Sequence, residues 1–495
     1  MRSEAVVGLD IGTTSTVAVV MRAGGEVLAS ASRPARLFSP QPGFAEADPA
    51  EWWANACATL REAIAAAGVA PAGVCVTGML PAVVLLDDAG RPLRRSLQQN
   101  DARCVRELAE LGGEIEEAAF LAATGQGVTQ QLVAPKLRWI ARHEPEIFAR
   151  AKHVLGSYDY INARLTGRLT VERNWALEAG FVALATDALD PELTALSGLP
   201  AGAFPPLVAA HERIGAVTPQ AAATTGLPVG AAVFGGAADH IASALAAGLA
   251  EAGDVLLKFG GAGDVIAISE HADPDRRLFL DYHLVPGLYA PNGCMAASGS
   301  LLRWLAALIG GGLSLAELDA EAAAVPPSAE GVRILPYFLG EKTPIHDALA
   351  RGTITGLSLG HGRGHIWRAA LEAIACGFRH HLDVLADQGR PARRLYASDG
   401  GSRSEVWMQI VADVCGQPVT TLANAYGSSV GAAWVAAVGL GLAQWGDVAR
   451  ARRLGKTFAP APGAASPYAD YRALYEALRP FFHRAALAAR QGLQP

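Results

Sequence analysis

The stretch from Asp10 to Ser15 contains the residue types that hold a phosphate group and its magnesium ion. Asp10 closes an apolar run rich in β-branched residues, and the turn Gly12-Thr13-Thr14-Ser15 leads into a second such run that ends at Val20. The amides and hydroxyls of such a turn donate to phosphate oxygens, and the carboxylate reaches metal-bound water. An ordinary hairpin with an aspartate on its first strand has the same pattern, so these residues alone leave both interpretations open.

A second carboxylate, Asp239, stands at a sharp turn, where its surroundings allow the role of a base or that of a helix cap. It follows an apolar run and the pair Gly235-Gly236, where the backbone can turn sharply and present a side chain to a ligand. Phosphoryl transfer to a hydroxyl requires such a base and an in-line arrangement of the reacting groups. The alternative is that Asp239 caps the alanine-rich helix that begins at His240. The two roles are compatible, because a helix dipole stabilises a carboxylate at its N-terminus.

A partial repeat predicts how the chain is organised. Residues 254–268 have the same succession of strand, glycine turn and strand as residues 5–20, and a later strand enters Gly400-Gly401. Two glycine-turn hairpins, each at the head of an α/β half, indicate two similar lobes with a cleft between them. We therefore expect two lobes, at residues 1–245 and 246–495, with the turn at Gly12 in the first.

Local signals predict the elements that position these turns. Asp48-Pro49 supplies an N-cap followed by proline at the first helical position. We expect a strand at 26–36, a helix at 50–67, short strands at 73–77 and 82–87, several helices within 101–165, a buried strand at 230–234, an alanine-rich helical segment from Pro327, a long helix at 361–388, a strand at 395–398 and a helix at 404–415.

Composition indicates a large globular protein. With 495 residues, two or more domains are expected, and a net charge of −6 gives no reason to expect nucleic acid or a membrane as partner. No run of 18 apolar residues occurs, and the first residues lead directly into a strand, without a signal peptide. The six scattered cysteines are typical of reduced thiols in a cytoplasmic protein.

Stretches in the same order along nearly the whole chain resemble the FGGY family of carbohydrate kinases, whose fold is that of actin, hexokinase and the Hsp70 ATPase. Each stretch is a weak signal, but their common order is a specific one. The matching stretches are Gly8 to Ser15, Gly43 to Trp53, Asn100 to Arg103, Ala134 to Trp139, Gly235 to Asp239, Gly340 to Leu357 and Gly400 to Asp413.

The resemblance implies an α/β fold of two actin-like (ribonuclease H-like) lobes, each a mixed sheet flanked by helices, with the active site in the cleft between them. It also implies an ATP-dependent phosphotransferase that moves the γ-phosphate of ATP to a hydroxyl of an open-chain sugar or polyol. A ketopentose such as xylulose or ribulose is the expected acceptor. In this reading Asp239 is the general base, and Asp10 anchors Mg²⁺ through water.

The resemblance further assigns residues to the nucleotide. Thr13 and Thr14 donate to phosphate, Gly260 and Gly261 cradle phosphates from the second lobe, and Gly299 lies beside ATP. Gly400, Gly401 and Ser404 border the adenine and ribose. The chain departs from the family at one turn, because Gly260-Gly261-Ala262 stands where the family usually has Gly-Thr-Ser or Gly-Thr-Ala, and Asp264 follows it. A hydroxyl donor is missing there.

The sugar side is where the resemblance is weakest. Xylulose kinases of the family commonly have SGQMHG and WND, whereas this chain has Thr77-Gly-Met-Leu80-Pro81-Ala and Gln99-Asn-Asp101. Proline cannot donate a hydrogen bond to a sugar, so the polar partners of this substrate must differ. Leu80 and Pro81 are expected to face the sugar, and Asp101 to bind it. Trp175 either stacks on the sugar or belongs to the core.

Two other functions use the same fold. A non-catalytic ATP-binding sugar sensor is disfavoured because Asp10 and Asp239 are both present. A phosphohydrolase of the exopolyphosphatase kind is disfavoured by the sugar-side elements, which indicate a hydroxyl acceptor. His240 matches no family position and is expected on a helix face. A homodimer is an expectation at the family level only.

Overall fold

The apolar run that follows Glu4 forms a buried central strand, as its β-branched residues predict. The computed structural model describes residues 4–423 and 427–491. Residues 1–3, on which the expectation of a missing signal peptide depended, lie outside this range. None of the helices formed by the described residues combines the length and the apolar character that crossing a bilayer requires.

The described residues form 24 strands. In chain order they are β1 (Ala5–Ile11), β2 (Ser15–Arg22), β3 (Val27–Pro34), β4 (Glu46–Ala47), β5 (Gly73–Gly78), β6 (Val84–Leu86), β7 (Ser96–Leu97), β8 (His153–Leu155), β9 (Val171–Glu172), β10 (Val182–Ala183), β11 (Ala188–Leu189), β12 (Leu207–Val208), β13 (Arg213–Ala216), β14 (Ala232–Phe234), β15 (Ala237–Ala238), β16 (Asp254–Phe259), β17 (Gly263–Ala267), β18 (Phe279–Tyr282), β19 (Tyr289–Met295), β20 (Arg333–Leu335), β21 (Thr353–Thr355), β22 (Arg394–Ser398), β23 (Val419–Leu422) and β24 (Leu454–Phe458).

The same residues form 17 α-helices. In chain order they are α1 (Pro49–Ala67), α2 (Val105–Glu114), α3 (Glu117–Thr124), α4 (Val133–His143), α5 (Pro145–Arg150), α6 (Ser157–Thr166), α7 (Arg173–Glu178), α8 (Pro191–Ala195), α9 (Pro219–Thr225), α10 (Asp239–Ala246), α11 (Gly299–Ile309), α12 (Leu315–Ala323), α13 (Arg363–Asp387), α14 (Glu405–Cys415), α15 (Ser428–Gly439), α16 (Trp445–Ala451) and α17 (Tyr468–Gln491).

The described residues divide into two compact units. The first consists of residues 4–250, 270–290 and 427–452, and the second of residues 251–269, 291–423 and 453–491. Both are α/β units built on a mixed sheet. The division at residue 245 that the sequence suggests stays a prediction.

The two units repeat one sheet topology, as the glycine-turn hairpins predict. In the first unit the strand order is β13-β14-β5-β1-β2-β3, and in the second the order β24-β23-β22-β16-β17-β19 occurs. In each, the opening three strands are antiparallel and the next two are parallel to the first strand. The carboxyl ends of three parallel strands therefore lie at one edge of each sheet.

Helix α15 covers the central strand of the first unit although it is far from that strand in the sequence. A Cβ atom at Gly8 would lie 1.7 Å from the carbonyl oxygen of Ser429 and 2.6 Å from the amide nitrogen of Ala433. Glycine at position 8 therefore allows the helix to pack directly on the strand backbone.

Most of the predicted elements form with small changes of boundary, and one prediction is wrong. The helix expected at 50–67 is α1, with Asp48 accepting a hydrogen bond from the amide of Ala50 at 2.8 Å. The alanine-rich helix expected from Pro327 is instead a short 3₁₀ turn, Pro327–Gly331, in which Ser328, Ala329 and Glu330 have positive φ angles. The helix lies before it, as α12, because the pair Pro326-Pro327 interrupts helical hydrogen bonding.

Candidate active site

The first glycine turn joins β1 to β2 and exposes its hydroxyls. The Gly12 amide donates to the Ser15 carbonyl at 3.0 Å, and a Cβ atom at position 12 would lie 2.9 Å from that oxygen, so glycine fits the turn best. Thr13 is half-buried and Thr14 is exposed. The turn therefore offers donors to a ligand beside the carboxylate of Asp10.

Asp10 and Asp239 lie at the same edge of one sheet. Asp10 is level with Thr77 of the parallel neighbour β5, and Ala238 of β15 is level with Gly78 on the other side of β5. Neighbouring strands are about 4.8 Å apart, so the strand ends that carry the two carboxylates are separated by about 10 Å. Such a distance leaves room for a transferring phosphoryl group and its acceptor.

A glycine and a helix start set the position of Asp239. Gly236 has a φ of 108°, and a Cβ atom there would lie 2.7 Å from the ring of Tyr158. Helix α10 begins with Asp239 itself and has Ala238 as its N-cap, so it starts one residue earlier than the sequence indicates. The Oδ1 atom of Asp239 accepts a hydrogen bond from the amide of His240 at 2.6 Å.

His240 stands among three carboxyl groups that come from three different elements. Its Nε2 atom lies 2.9 Å from Oδ2 of Asp281 on β18 and 3.8 Å from Oε1 of Glu178 at the end of α7. Its Nδ1 atom lies 3.4 Å from Oδ1 of Asp239.

The charges of this cluster shift its pKa values. Burial alone would lower the pKa of His240, but the carboxylates of Asp281, Asp239 and Glu178 outweigh it and hold that pKa well above its usual value. Burial, together with the facing Asp281, raises the pKa of Glu178 well above its usual range. The cluster therefore favours the charged form of the imidazole and the neutral form of Glu178.

Leu80 and Pro81, expected near the sugar, are both buried in the loop that follows β5. Their loop is tied to α6 by a hydrogen bond from the Ser157 hydroxyl to the Met79 carbonyl, at 2.9 Å. Their part in binding the sugar stays a prediction.

Asp101 is fully buried in an ion pair. Its Oδ1 atom accepts from the backbone amide and from Nε of Arg103, at 3.1 and 2.8 Å. Its Oδ2 atom accepts from the amide of Ala45 and from Nη2 of Arg103, at 2.6 and 2.8 Å. A carboxylate has about four acceptor positions, so these bonds saturate it. The arrangement favours a structural role for Asp101, and the role of sugar ligand stays a prediction.

Trp175 is completely buried, which favours the core interpretation. Its indole N–H donates to the carbonyl of Ala82 at 2.8 Å, and its ring packs at 6.4 Å from the ring of Phe181. Stacking on a sugar face would require exposed ring surface, and this side chain has none.

In the second unit, the Gly260-Gly261 turn is fixed by the start of α11. The amide of Gly299 donates to the carbonyl of Gly260, and the amides of Ser298 and Ser300 donate to that of Gly261, at 2.9 to 3.0 Å. In a trans peptide the N–H points opposite to the carbonyl. The amides of Gly261 and Ala262 therefore point away from α11.

Arg303 lies against this turn. A Cβ atom at Gly261 would be 3.2 Å from Nη2 of Arg303, and one at Gly299 would be 3.6 Å from its Nη1. The acidic Asp264, which departs from the family, faces Lys258 with Oδ2 and Nζ 3.8 Å apart. The turn without hydroxyls thus has a guanidinium beside it.

The two glycines of the pair Gly400-Gly401 have different surroundings, one open and one packed. A Cβ atom at Gly400 would meet no atom within 4 Å, whereas one at Gly401 would lie 2.5 Å from the ring of Trp407. The Ser404 hydroxyl caps α14 by accepting from the amide of Trp407 at 3.1 Å. Trp407 and Met408 are buried and fill the core under this helix.

Sequence reasoning missed the partners of His240 and the position of Arg303. Glu178 and Asp281 are 62 and 41 positions from His240, on α7 and β18, and no local spacing connects them. Arg303 is on α11, 42 positions after Gly261, and no local spacing connects it with the turn. The available signal was chemical, since the chain lacks a hydroxyl at Gly261 and needs another donor there.

A two-unit fold of this kind, with carboxylates at the carboxyl edge of a sheet, is that of the actin-like ATPase class. Models of the N-terminal and C-terminal domains of the FGGY family of carbohydrate kinases match residues 5–246 and 265–440. The chain belongs to this family. It is a sugar kinase that uses ATP, and the sensor interpretation is not favoured.

Similar proteins cover almost the whole chain. A xylulose kinase of Bacillus subtilis is 28% identical over 445 residues, which are 88% of this chain and 88% of that protein. A xylulose kinase of Escherichia coli is 31% identical over 417 residues, which are 83% of this chain and 85% of that protein. The crystal structure of xylulose kinase from Rhodospirillum rubrum is 58% identical, with a TM-score of 0.93 over 97% of this chain and 100% of that chain.

Proposed function

We propose that this kinase phosphorylates an open-chain ketopentose, with xylulose or ribulose as the acceptor, and that Asp239 is its general base. The observation that carries the assignment of the base is its position at the same sheet edge as Asp10, with the contacts of its Oδ1 to the His240 amide and ring. The similarity to proteins described as xylulose kinases supports a ketopentose.

In the proposed reaction the chain has to accept one proton from the sugar hydroxyl. As the sugar oxygen attacks the γ-phosphorus, its O–H bond breaks and the proton passes to Asp239. The new O–P bond forms, and the bond to the leaving oxygen breaks with its electron pair passing to ADP. Asp239 therefore has to be ionised before transfer and protonated after it.

The residues at the first turn suit a magnesium ion, which would neutralise charge on the phosphates. Oxygen is the ligand that magnesium prefers, and it usually keeps several waters, so one carboxylate beside hydroxyls and amides is a fitting donor set. We propose that Asp10 holds the ion through water, while Thr13 and Thr14 donate to phosphate oxygens.

On the nucleotide side we propose that the outward amides of Gly261 and Ala262 bind phosphate and that Arg303 replaces the missing hydroxyl. Glycine at positions 261 and 299 leaves space for the guanidinium at the turn. We also propose that Gly400, Gly401 and Ser404 border the adenosine. Gly400 is the open position that a flat base can approach.

The remaining expectations are part of the same proposal. Six free thiols support a cytoplasmic enzyme. The family domains are assigned to 1–245 and 246–495. A homodimer stays a family-level prediction. The molar mass of the purified protein, measured by light scattering, tests it.

The test is ADP release in a coupled assay with Mg–ATP over ketopentoses, ketohexoses, tetritols and pentitols. We expect a ketopentose to give a kcat/KM at least tenfold above the other classes, because a site built to pair hydroxyls rejects analogues that leave its polar groups unpaired. Preference for a polyol would contradict the proposed acceptor. ATP hydrolysis at the same rate without any sugar would contradict acceptor-dependent transfer.

A further inference from the structure

The His240 cluster is ordered from the interior to the surface. The side chain of Asp281 is fully buried, those of Glu178 and His240 are 7% and 22% exposed, and that of Asp239 is 36% exposed. All four belong to the first unit. The imidazole thus connects a carboxylate of the interior with the carboxylate that we assign as the base.

A carboxylate as deeply buried as Asp281 needs a cation beside it, because an uncompensated buried charge is strongly destabilising. The ring of His240 is 2.9 Å away and satisfies that need when both of its nitrogens are protonated. Its Nε2–H then donates to Asp281, and its Nδ1–H faces Oδ1 of Asp239.

We propose that His240 is a positioning residue for Asp239, held as an imidazolium by Asp281, and that it fixes Oδ1 so that Oδ2 receives the proton of the sugar hydroxyl. This inference rests on the proposed role of Asp239 as base. Within the described part of the chain, the polar contacts of Asp239 all go to Oδ1, from the amide and the ring of His240. The imidazolium is not consumed in the reaction, since the proton that is transferred goes to Oδ2.

The charged groups that face the imidazole come from each element packed around it. Asp239 is on its own helix, Asp281 is on β18, and Glu178 is on α7. Behind Glu178 lies Lys136 of α4, whose pKa burial lowers to about 8. The ring of His240 contacts Asp281 with Nε2 and Asp239 with Nδ1, so it stands between these two carboxylates. Removal of the imidazolium charge therefore leaves two carboxylates facing each other across an uncharged side chain.

The pH profile of kcat distinguishes this role from a purely structural one. In His240→Gln, Asp239 loses the cation that faces its Oδ1 atom. The acid limb should then move up by about one pH unit, and kcat should fall by about tenfold. In Asp281→Asn the imidazole loses the carboxylate that keeps it charged, so the alkaline limb should move down. In both variants the KM for the sugar should change less than kcat.

His483 provides a matched control. Its Nε2 atom lies 2.9 Å from Oδ2 of Asp347 in the second unit, so it forms the same kind of pair away from Asp239. His483→Gln should leave both limbs of the profile where they are in the wild type. Thermal melting of every variant checks folding, and His240→Gln keeps the test valid if Asp281→Asn does not fold.

The outcomes separate this inference from the proposed function. If Asp239→Asn removes turnover while His240→Gln lowers kcat with both limbs unmoved, the positioning role is wrong and the base stands. If Asp239→Asn keeps the wild-type rate, the base itself is wrong and this inference falls with it. Opposite movements of the two limbs in the two variants would support the role.

Discussion

At the scale of single residues, the Gly260-Gly261 turn has a charged side chain beside it where a hydroxyl is missing. The turn has glycine and alanine where hydroxyl residues are usual in the family, and Arg303 of α11 extends its guanidinium over it. A guanidinium matches phosphate geometry and carries a full charge, so it is a stronger phosphate ligand than a hydroxyl.

Arg303→Ala should therefore raise the KM for ATP by about tenfold, the effect of losing one charge-assisted hydrogen bond, with little change in kcat. Initial-rate kinetics with varied ATP measure this. Adding Gly261→Thr to Arg303→Ala should restore part of the loss, because it supplies a hydroxyl where the guanidinium has been removed.

The exposed Arg450, paired with Asp447 in the other unit, serves as the control, and its alanine variant should keep the wild-type KM for ATP. An unchanged KM in Arg303→Ala would show that the backbone amides hold the phosphate without it.

Short local patterns were enough to propose Asp10, Asp239 and the glycine turns as candidate site residues, and the family resemblance was needed to choose between the alternatives. The resemblance suggested Asp101 as a sugar ligand and left Trp175 open between the sugar and the core; in the structure Asp101 forms a saturated ion pair and Trp175 is buried in the core. Burial and saturation depend on residues that are distant in the sequence, such as Ala45 and Ala82, so no local pattern contains them.

At the scale of elements, β1 and α15 show the effect of a single close contact. The helix lies on the strand with Gly8 between them, and the pair was not visible from the sequence because the elements are more than 400 residues apart.

Gly8→Ala should force the helix off the strand and lower the free energy of unfolding by about 3 kcal/mol, the upper range for overpacking in a core. The fall in Tm, followed by circular dichroism, measures the effect. Gly113→Ala is the control, since a Cβ atom there meets no atom within 4 Å and the position is on exposed helix α2. The control should be neutral or slightly stabilising. Equal melting temperatures for the two variants would contradict the packing argument.

Element boundaries followed from local signals wherever a cap or a glycine was present. Asp48, Gly68 and Ser404 end or begin helices as their residue types predict. The helix predicted from Pro327 was wrong: the alanines near this position suggested a helix, but the pair Pro326-Pro327 prevents one.

At the scale of the whole molecule, the repeated hairpin predicted a repeated sheet. Both units have the same succession of antiparallel and parallel strands, so each brings strand ends and glycine turns to one edge. The sequence did not predict that residues 270–290 and 427–452 pack with the first unit, because those segments follow the second hairpin in the chain. One of them carries Asp281, which is why the His240 cluster was not foreseen.

The central claim is that Asp239 takes the proton of the sugar hydroxyl, and Asp239→Asn tests it most directly. The variant keeps the size of the side chain and removes its basicity, so kcat should fall by about 10²–10⁴-fold. Sugar binding, measured by calorimetry, should persist within a few-fold of the wild type. A kcat within threefold of the wild-type value, with the ketopentose as acceptor, would contradict the account.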